Sequence, residues 1–221
     1  MPYTVKILEI TSVTHDVKQI KVEKPDGFAF VPGQATELSI NKKGWEEEKR
    51  PFTFTCLPDA AHLEFVIKSY LDHDGVTKEI DNLAVGDEVN IDDAWGVIEY
   101  KGKGAFIAGG AGITPFIGII RHLESQGKLA GNRLFFSNKT GKDVILESYF
   151  RGLLGDDFVS TLTDKPEKGH EFGMINKDFL KKHIRDFSEQ FYICGPDKMV
   201  KAISETLEEL GAKPEGITFE K

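Results

Sequence analysis

Ala105-Phe106-Ile107-Ala108-Gly109-Gly110-Ala111-Gly112-Ile113-Thr114-Pro115 decides how the second half of this chain folds. The apolar residues Ala105 to Ala108 read as a short buried strand. Gly109, Gly110 and Gly112 let the chain turn tightly and let its backbone approach a diphosphate, and Thr114 and Pro115 suit a helix start. That helix reads from Pro115 to Gln126, with Phe116, Ile119, Ile120 and Leu123 on one face and Gly127 placed to cap its end. The segment is not the Gly-x-Gly-x-x-Gly fingerprint. Taken locally, a purely structural turn between strand and helix explains it as well as a nucleotide site does.

Beyond Gly127, strands and helices alternate. Arg133 to Ser137, Phe158 to Leu162, Phe191 to Ile193 and Ile217 to Phe219 read as strands. Val144 to Gly152, Lys177 to Arg185 and Asp197 to Leu210 read as the helices among them, the last ended by Gly211. With Ala105 to Ala108, this pattern predicts an α/β doubly wound domain with a five-stranded parallel sheet.

Ahead of Lys101-Gly102-Lys103-Gly104 the rhythm differs. Val5 to Ser12, Val17 to Val22, Ala35 to Ile40, Phe52 to Cys56, Leu63 to Lys68 and Glu88 to Ile91 are strand-like. Pro25-Asp26-Gly27, Pro32-Gly33, Pro58-Asp59 and Val85-Gly86-Asp87 punctuate them. Short strands spaced in this way predict an all-β closed barrel, interrupted by one small helix from about Thr77 to Leu83. The expected domains are residues 1–101 and 102–221.

Composition sets outer limits. Of 221 residues, 40% are hydrophobic and 29% charged, and the net charge is −8. An acidic chain of this kind has no broad attraction for nucleic acid or anionic lipid, so neither is an expected partner. No apolar run reaches the roughly 18 residues of a membrane-spanning helix, and the N-terminus lacks a signal-peptide pattern, so a cytoplasmic protein is expected. Cys56 and Cys194 are too few for an iron–sulfur cluster, and a disulfide between them is not expected in the cytosol. His15, His62, His73, His122, His170 and His183 show no metal-ligand spacing, so no metal is expected.

Three motifs carry chemistry. In Arg50-Pro51-Phe52-Thr53 the guanidinium can pair with a pyrophosphate, the aromatic can pack on a flat ring, and the hydroxyl can hydrogen-bond a ring nitrogen. Taken alone, such a tetrapeptide more often marks a surface arginine beside an ordinary strand. Farther on, Gly75-Val76-Thr77 opens the small helix, where backbone amides and a hydroxyl suit a phosphate; a structural helix capped by Thr77 is the equal alternative. Cys194-Gly195-Pro196 follows a strand and precedes a helix. A strand's carboxyl end beside a switch point favours a ligand site for Cys194, whereas Cys56 reads as a buried small hydrophobe.

The order and spacing of Arg50-Pro51-Phe52-Thr53, the Gly109 to Pro115 segment and Tyr192-Ile193-Cys194-Gly195-Pro196 resemble the ferredoxin–NADP reductase superfamily over nearly the whole chain. The resemblance implies an FAD-binding barrel ahead of a nicotinamide dinucleotide-binding domain, in a two-domain form lacking an iron–sulfur domain. It implies that Arg50 contacts the flavin pyrophosphate, Pro51 and Phe52 border the ring, and Thr53 approaches the flavin N5. Val66, Ile67, Lys68, Gly75, Val76 and Thr77 stand where the family's second flavin element lies. Gly109, Gly110, Gly112, Thr114, Pro115, Gly195 and Pro196 stand where relatives bind the coenzyme. Cys194 and Glu220 match residues beside the reacting centre, with Thr53 as the third catalytic candidate. Two departures are evident: Phe52 replaces the usual tyrosine, and Asp74 replaces a glycine.

The resemblance further implies a reductase that takes hydride from NADH or NADPH onto tightly bound FAD and passes electrons to a separate acceptor protein such as ferredoxin, flavodoxin or an oxygenase component. Asp164 lies where NADPH-preferring relatives carry arginine, which favours NADH, and Lys139 acts in the opposite sense. Lys42, Lys43, Lys49 and Arg50 form a candidate dock for an acidic acceptor; a solvated charge run with Glu46-Glu47-Glu48 is the plainer reading. The alternatives are an NAD(P)H:flavin reductase that uses flavin as substrate, to which Phe52 points, and a non-catalytic FAD-binding redox subunit.

Overall fold

The computed structural model describes residues 2–70, 75–96 and 98–219. These divide into two compact units: one holds the residues up to 97 together with Thr114–Gln126, and the other holds Ile98–Ile113 and the residues from Gly127 onward. The helix that follows the glycine-rich turn thus groups with the barrel strands.

In the first unit, β1 (Tyr3–Ser12), β2 (Val17–Glu23), β3 (Ala35–Ile40), β4 (Arg50–Thr53), β5 (His62–Lys68) and β6 (Glu88–Ile91) form a sheet ordered β4-β3-β6-β1-β2-β5. Every neighbouring pair is antiparallel. The two ends approach each other just past β4, where Phe54 bridges Phe65 and the Thr55 amide donates to the Glu64 carbonyl at 2.9 Å. The result is a nearly closed barrel, which removes most of the exposed edge an open sheet would present. Phe54 fills its interior against Phe28, Phe30 and Phe65, with ring centroids 5.6, 4.4 and 5.3 Å away. Cutting such a fully buried ring back to alanine costs about 3–5 kcal/mol.

The fourth strand departs from expectation, running Arg50–Thr53 rather than Phe52 to Cys56. Pro51 does not prevent this, because within the sheet β4 pairs only with β3 and its other side needs no ladder donor. The small helix α1 is Val76–Glu79, continued by a 3-10 turn over Ile80–Asn82. Its amino-terminal cap is Gly75 in extended conformation, not Thr77, which sits inside the first turn. The longer helix α2, Thr114–Ser125, buries Phe116, Ile117, Gly118, Ile119, Ile120 and Leu123.

In the second unit, β7 (Gly104–Gly109), β8 (Arg133–Asn138), β9 (Phe158–Leu162), β10 (Glu171–Phe172), β11 (Gln190–Cys194) and β12 (Ile217–Phe219) form a sheet ordered β10-β9-β8-β7-β11-β12. All its pairings are parallel. The expected five strands are therefore six. The addition, β10, is two residues long, and its Phe172 is 59% exposed, so it leaves neither the length nor the apolar pattern that marks a strand in sequence.

Helices α3 (Glu147–Leu154), α4 (Lys177–His183) and α5 (Asp197–Glu209) connect the strands. The first starts three residues later than expected. Val144 is buried in extended chain, Ile145 is buried in a turn, and Leu146 takes a left-handed φ of 53° before the helix begins. Among the described residues no helix is long and apolar enough to cross a membrane.

Candidate active site

Strand order reverses beside β7: β8 and β9 lie on one side of it, β11 and β12 on the other. A doubly wound sheet opens a crevice at the carboxyl ends of its strands at such a switch point. Cys194 pairs with Ala108 across this boundary, which brings the turn after β7 alongside the turn after β11.

The two turns interlock at van der Waals distance. A Cβ on Gly112 would lie 2.3 Å from the Cys194 carbonyl oxygen, and one on Gly109 would lie 2.5 Å from the Met199 sulfur and 3.0 Å from Pro196 Cδ. Gly195 has φ of +155°, and its own Cβ would meet Gly109 at 3.1 Å. At Gly112 and Gly195 the neighbour is backbone and at Gly109 it is the Met199 and Pro196 side chains, so all three positions need a residue without Cβ for the turns to pack this closely. Cys194 is buried, 6% exposed. Glu220 lies outside the described residues, as does Asp74. Phe219, for which a core position was the commoner expectation, is 37% exposed at the end of β12.

The amino end of β7 is fixed independently. Tyr192 is fully buried and stacks on Phe106 at 4.8 Å; its hydroxyl accepts from the Lys101 and Gly102 amides at 2.8 and 3.0 Å and donates to the Gly102 carbonyl at 2.8 Å. Gly104 passes so close to Gln190 that any side chain there would overlap its carbonyl.

Lys139 and Asp164 sit side by side. Beyond β8 and β9 the ladder continues, with the Thr163 amide donating to the Asn138 carbonyl at 3.0 Å and the Asp164 amide to the Lys139 carbonyl at 3.1 Å. Both side chains are exposed. The chain after Asp164 is anchored by His170, whose Nδ1 lies 2.9 Å from Ser160 Oγ, and by the Gly141 amide, which donates to Glu167 at 3.3 Å.

On the barrel, Arg50 is about half exposed. One guanidinium nitrogen donates to the Lys49 carbonyl at 2.6 Å, and the other lies 3.5 Å from Glu48. With five donors on the fork, this leaves N–H groups free for a bidentate anion. Phe52 packs partly on the barrel core, and Thr53, the next residue, is 8% exposed on the opposite face. Val66 and Ile67 are buried, and the Lys68 ammonium is bound to Asp16 at 2.9 Å, so this stretch offers a flavin backbone rather than polar side chains.

The lysine cluster is largely neutralised. Lys42 pairs with Asp87 at 3.2 Å and Lys49 with Asp92 at 2.6 Å, as expected of a solvated charge run. Sequence reasoning missed Gly118, Arg121 and Glu64, which join α2 to the barrel: nothing in a lone arginine on a helix or a lone glutamate on a strand announces that they meet.

The structure thus joins a nearly closed barrel, with a half-exposed arginine on its edge, to a doubly wound sheet with close-packed glycine turns at its switch point. Comparison with known proteins agrees. The oxidoreductase FAD-binding domain model matches residues 4–100, and the oxidoreductase NAD-binding domain model matches residues 106–205. The reductase component of propane 2-monooxygenase from Rhodococcus jostii (strain RHA1) is 30% identical over 98% of this chain and 62% of its own length. NADH-cytochrome b5 reductase 2 of Mycosarcoma maydis is 28% identical over 89% of this chain and 62% of its own length. A ferredoxin NADP+ reductase from Neisseria gonorrhoeae, solved with bound FAD and NADP, superposes with a TM-score of 0.87 at 21% identity, covering 99% of this chain and 98% of that one. The chain carries an oxidoreductase FAD-binding domain followed by an oxidoreductase NAD-binding domain.

Proposed function

We propose that this protein takes hydride from NADH onto FAD and passes the electrons to a separate acceptor protein, with residues 1–101 holding the flavin and 102–221 the coenzyme. The supporting observation is the pair of close-packed turns: Gly112 against the Cys194 carbonyl and Gly195 against Gly109 bring two glycine-bearing strand-to-helix turns together at the sheet's switch point, where a dinucleotide would bind. Bound flavin accepts two electrons together and releases them singly, which suits a carrier between nicotinamide and a one-electron protein.

The chain's own residues bind and orient. Arg50 would hold the flavin pyrophosphate, with Phe52 and Thr53 beside the ring. The glycine turns would seat the coenzyme, Thr114 and Pro115 open the helix beyond them, and Cys194 would help align the nicotinamide for hydride transfer. Glu220, outside the described residues, matches an acidic residue that relatives place near the reacting centre. Asp164 disfavours a 2′-phosphate, which makes NADH the donor. Two of the first relatives serve a multicomponent oxygenase and cytochrome b5 by name, and the acceptor here is a protein of that redox class, such as a ferredoxin, a flavodoxin or an oxygenase component.

A second reading, in which flavin is a substrate that leaves after reduction, is favoured by Phe52, which lacks the hydroxyl a tyrosine would give the ribitol. Flavin released from the purified protein, identified by chromatography, separates the two. Stoichiometric FAD bleached by NADH under anaerobic conditions supports the reductase. A protein that purifies colourless yet oxidises NADH only with added flavin supports the substrate reading. No NADH or NADPH oxidation under either condition would overturn both.

A further inference from the structure

Helix α2 is fastened to the barrel by contacts far more specific than helix packing needs. Its buried Phe116, Ile117, Ile119, Ile120 and Leu123 already supply the apolar surface that holds a helix down. Gly118 and Arg121 add two directional constraints. Gly118 lies directly on the strand that leaves β4, where a Cβ would come 2.7 Å from the Phe54 carbonyl oxygen. One turn on, Arg121 Nη1 donates to the Thr55 carbonyl at 2.7 Å and also to Glu64 Oε1, which accepts from Thr55 Oγ1 at 2.7 Å as well. The Glu64 side chain is 6% exposed and that of Arg121 22% exposed.

A buried ion pair is a poor source of stability compared with apolar packing of equal volume, but a good source of register. Apolar ridges allow a helix to roll and slide by small amounts. A guanidinium that must reach one carbonyl and one carboxylate together does not, and a glycine seated on a carbonyl fixes the helix's height. The register also has a direction: Gly118 to Arg121 along the helix runs with Phe54 to Thr55 along the strand. The clamp thus ties α2 to Phe54 and Thr55, the two residues that follow Thr53. Thr114, seven residues before Arg121, lies on the same helix face.

We propose that Gly118 and Arg121, with Glu64, are positioning residues for the redox step: they fix the height and rotation of α2, and thereby where Thr114 and the helix's amino end stand relative to Thr53. This rests on the reductase reading above. It predicts that loosening the clamp slows flavin reduction without releasing the cofactor.

The test uses the FAD-loaded protein with NADH in anaerobic stopped flow, comparing wild type with Gly118→Ala, Arg121→Met, Arg121→Lys and the double variant Glu64→Gln/Arg121→Met. The double variant removes both charges together, so no unpaired carboxylate is left to unfold the barrel. The limiting reduction rate should fall about tenfold or more in Gly118→Ala and in the double variant, because sub-ångström misplacement of reacting groups is costly. FAD occupancy and the coenzyme dissociation constant should stay near wild type, and Arg121→Lys should recover part of what Arg121→Met loses. Hydrogen exchange on the apoproteins supplies a readout independent of activity: amides 118–122 should exchange faster in the variants while those of β1 and β2 stay protected. Wild-type limiting rates and wild-type exchange in the double variant would overturn the positioning role alone. A wild-type protein that binds FAD but is reduced by neither coenzyme would overturn the reductase reading, and the positioning role with it.

Discussion

The Asp164 amide donates to the Lys139 carbonyl at 3.1 Å, which joins the backbones of two residues of opposite charge just past the carboxyl ends of β9 and β8. Backbone ladder hydrogen bonds, not the charges themselves, set this adjacency. A 2′-phosphate arriving there meets both groups, one repelling and one attracting it. We expect NADH to be preferred, with Asp164→Arg shifting kcat/KM toward NADPH by about fivefold or more and Lys139→Ala shifting it toward NADH. Steady-state ratios for the three proteins check this, and a wild type favouring NADPH tenfold would make Lys139 the determinant.

Arg50 has one short hydrogen bond, to its neighbour's carbonyl, and a loose 3.5 Å contact with Glu48. Its remaining donors are the strongest anion ligands on that edge of the barrel. Arg50→Ala should weaken FAD by about 1.5–3 kcal/mol, the scale of hydrogen bonds to charged groups. Fluorescence titration of the apoprotein measures it; unchanged affinity would remove Arg50 from the flavin site. Because the side chain packs on no core, the melting temperature of the apoprotein should stay where it is.

Cys194 ends β11 with its carbonyl pressed against Gly112. Its backbone therefore serves the turn whatever its side chain is, which allows the thiol to be tested alone. Cys194→Ala should leave the turn and coenzyme affinity nearly intact while lowering the limiting rate of flavin reduction, read at saturating NADH. A wild-type rate in that variant would reduce Cys194 to a small core residue.

Cys56 behaves differently. Burial, with Glu64 nearby, pushes its thiol from an ordinary 9.0 up to about 11. In the unfolded chain the thiol ionises near pH 9, while the folded protein keeps its proton until about pH 11. Its contribution to stability is therefore complete below pH 9 and is lost as pH rises toward 11, at about 1.4 kcal/mol per pH unit. Denaturant unfolding of wild type and Cys56→Ala between pH 8 and about 11 should show the variant's stability falling less steeply. Parallel curves would mean that the folded thiol titrates like a free one.

Much of this protein was legible without coordinates, because the signals are local. Alternating short strands with proline and glycine turns, then strands alternating with amphipathic helices, separate barrel from doubly wound sheet, and both appear. Glycine between an apolar strand and a helix marks the turn after β7 because only a residue without Cβ can lie as close to the Cys194 carbonyl as Gly112 does. Arg50, Thr53 and Cys194 were singled out as candidates by residue type and order alone.

The tertiary structure decided what depends on partners distant in sequence. β10 exists only because Glu171 and Phe172 find an edge of β9 to pair with, and two residues carry no period of their own. Val144 and Ile145 looked helical, yet both are buried ahead of α3, Val144 in extended chain and Ile145 in a turn with a left-handed Leu146. Thr77 lost the capping role to Gly75, since capping follows backbone geometry rather than side-chain preference. Helix α2 reads as part of the nicotinamide half, but Arg121 meets Glu64 and Gly118 meets Phe54 across more than fifty residues of intervening chain, and it groups with the barrel. Sequence fixes periodicity and turns through interactions within a few residues; ion pairs, close backbone approaches and edge pairing are set only when the chain closes on itself.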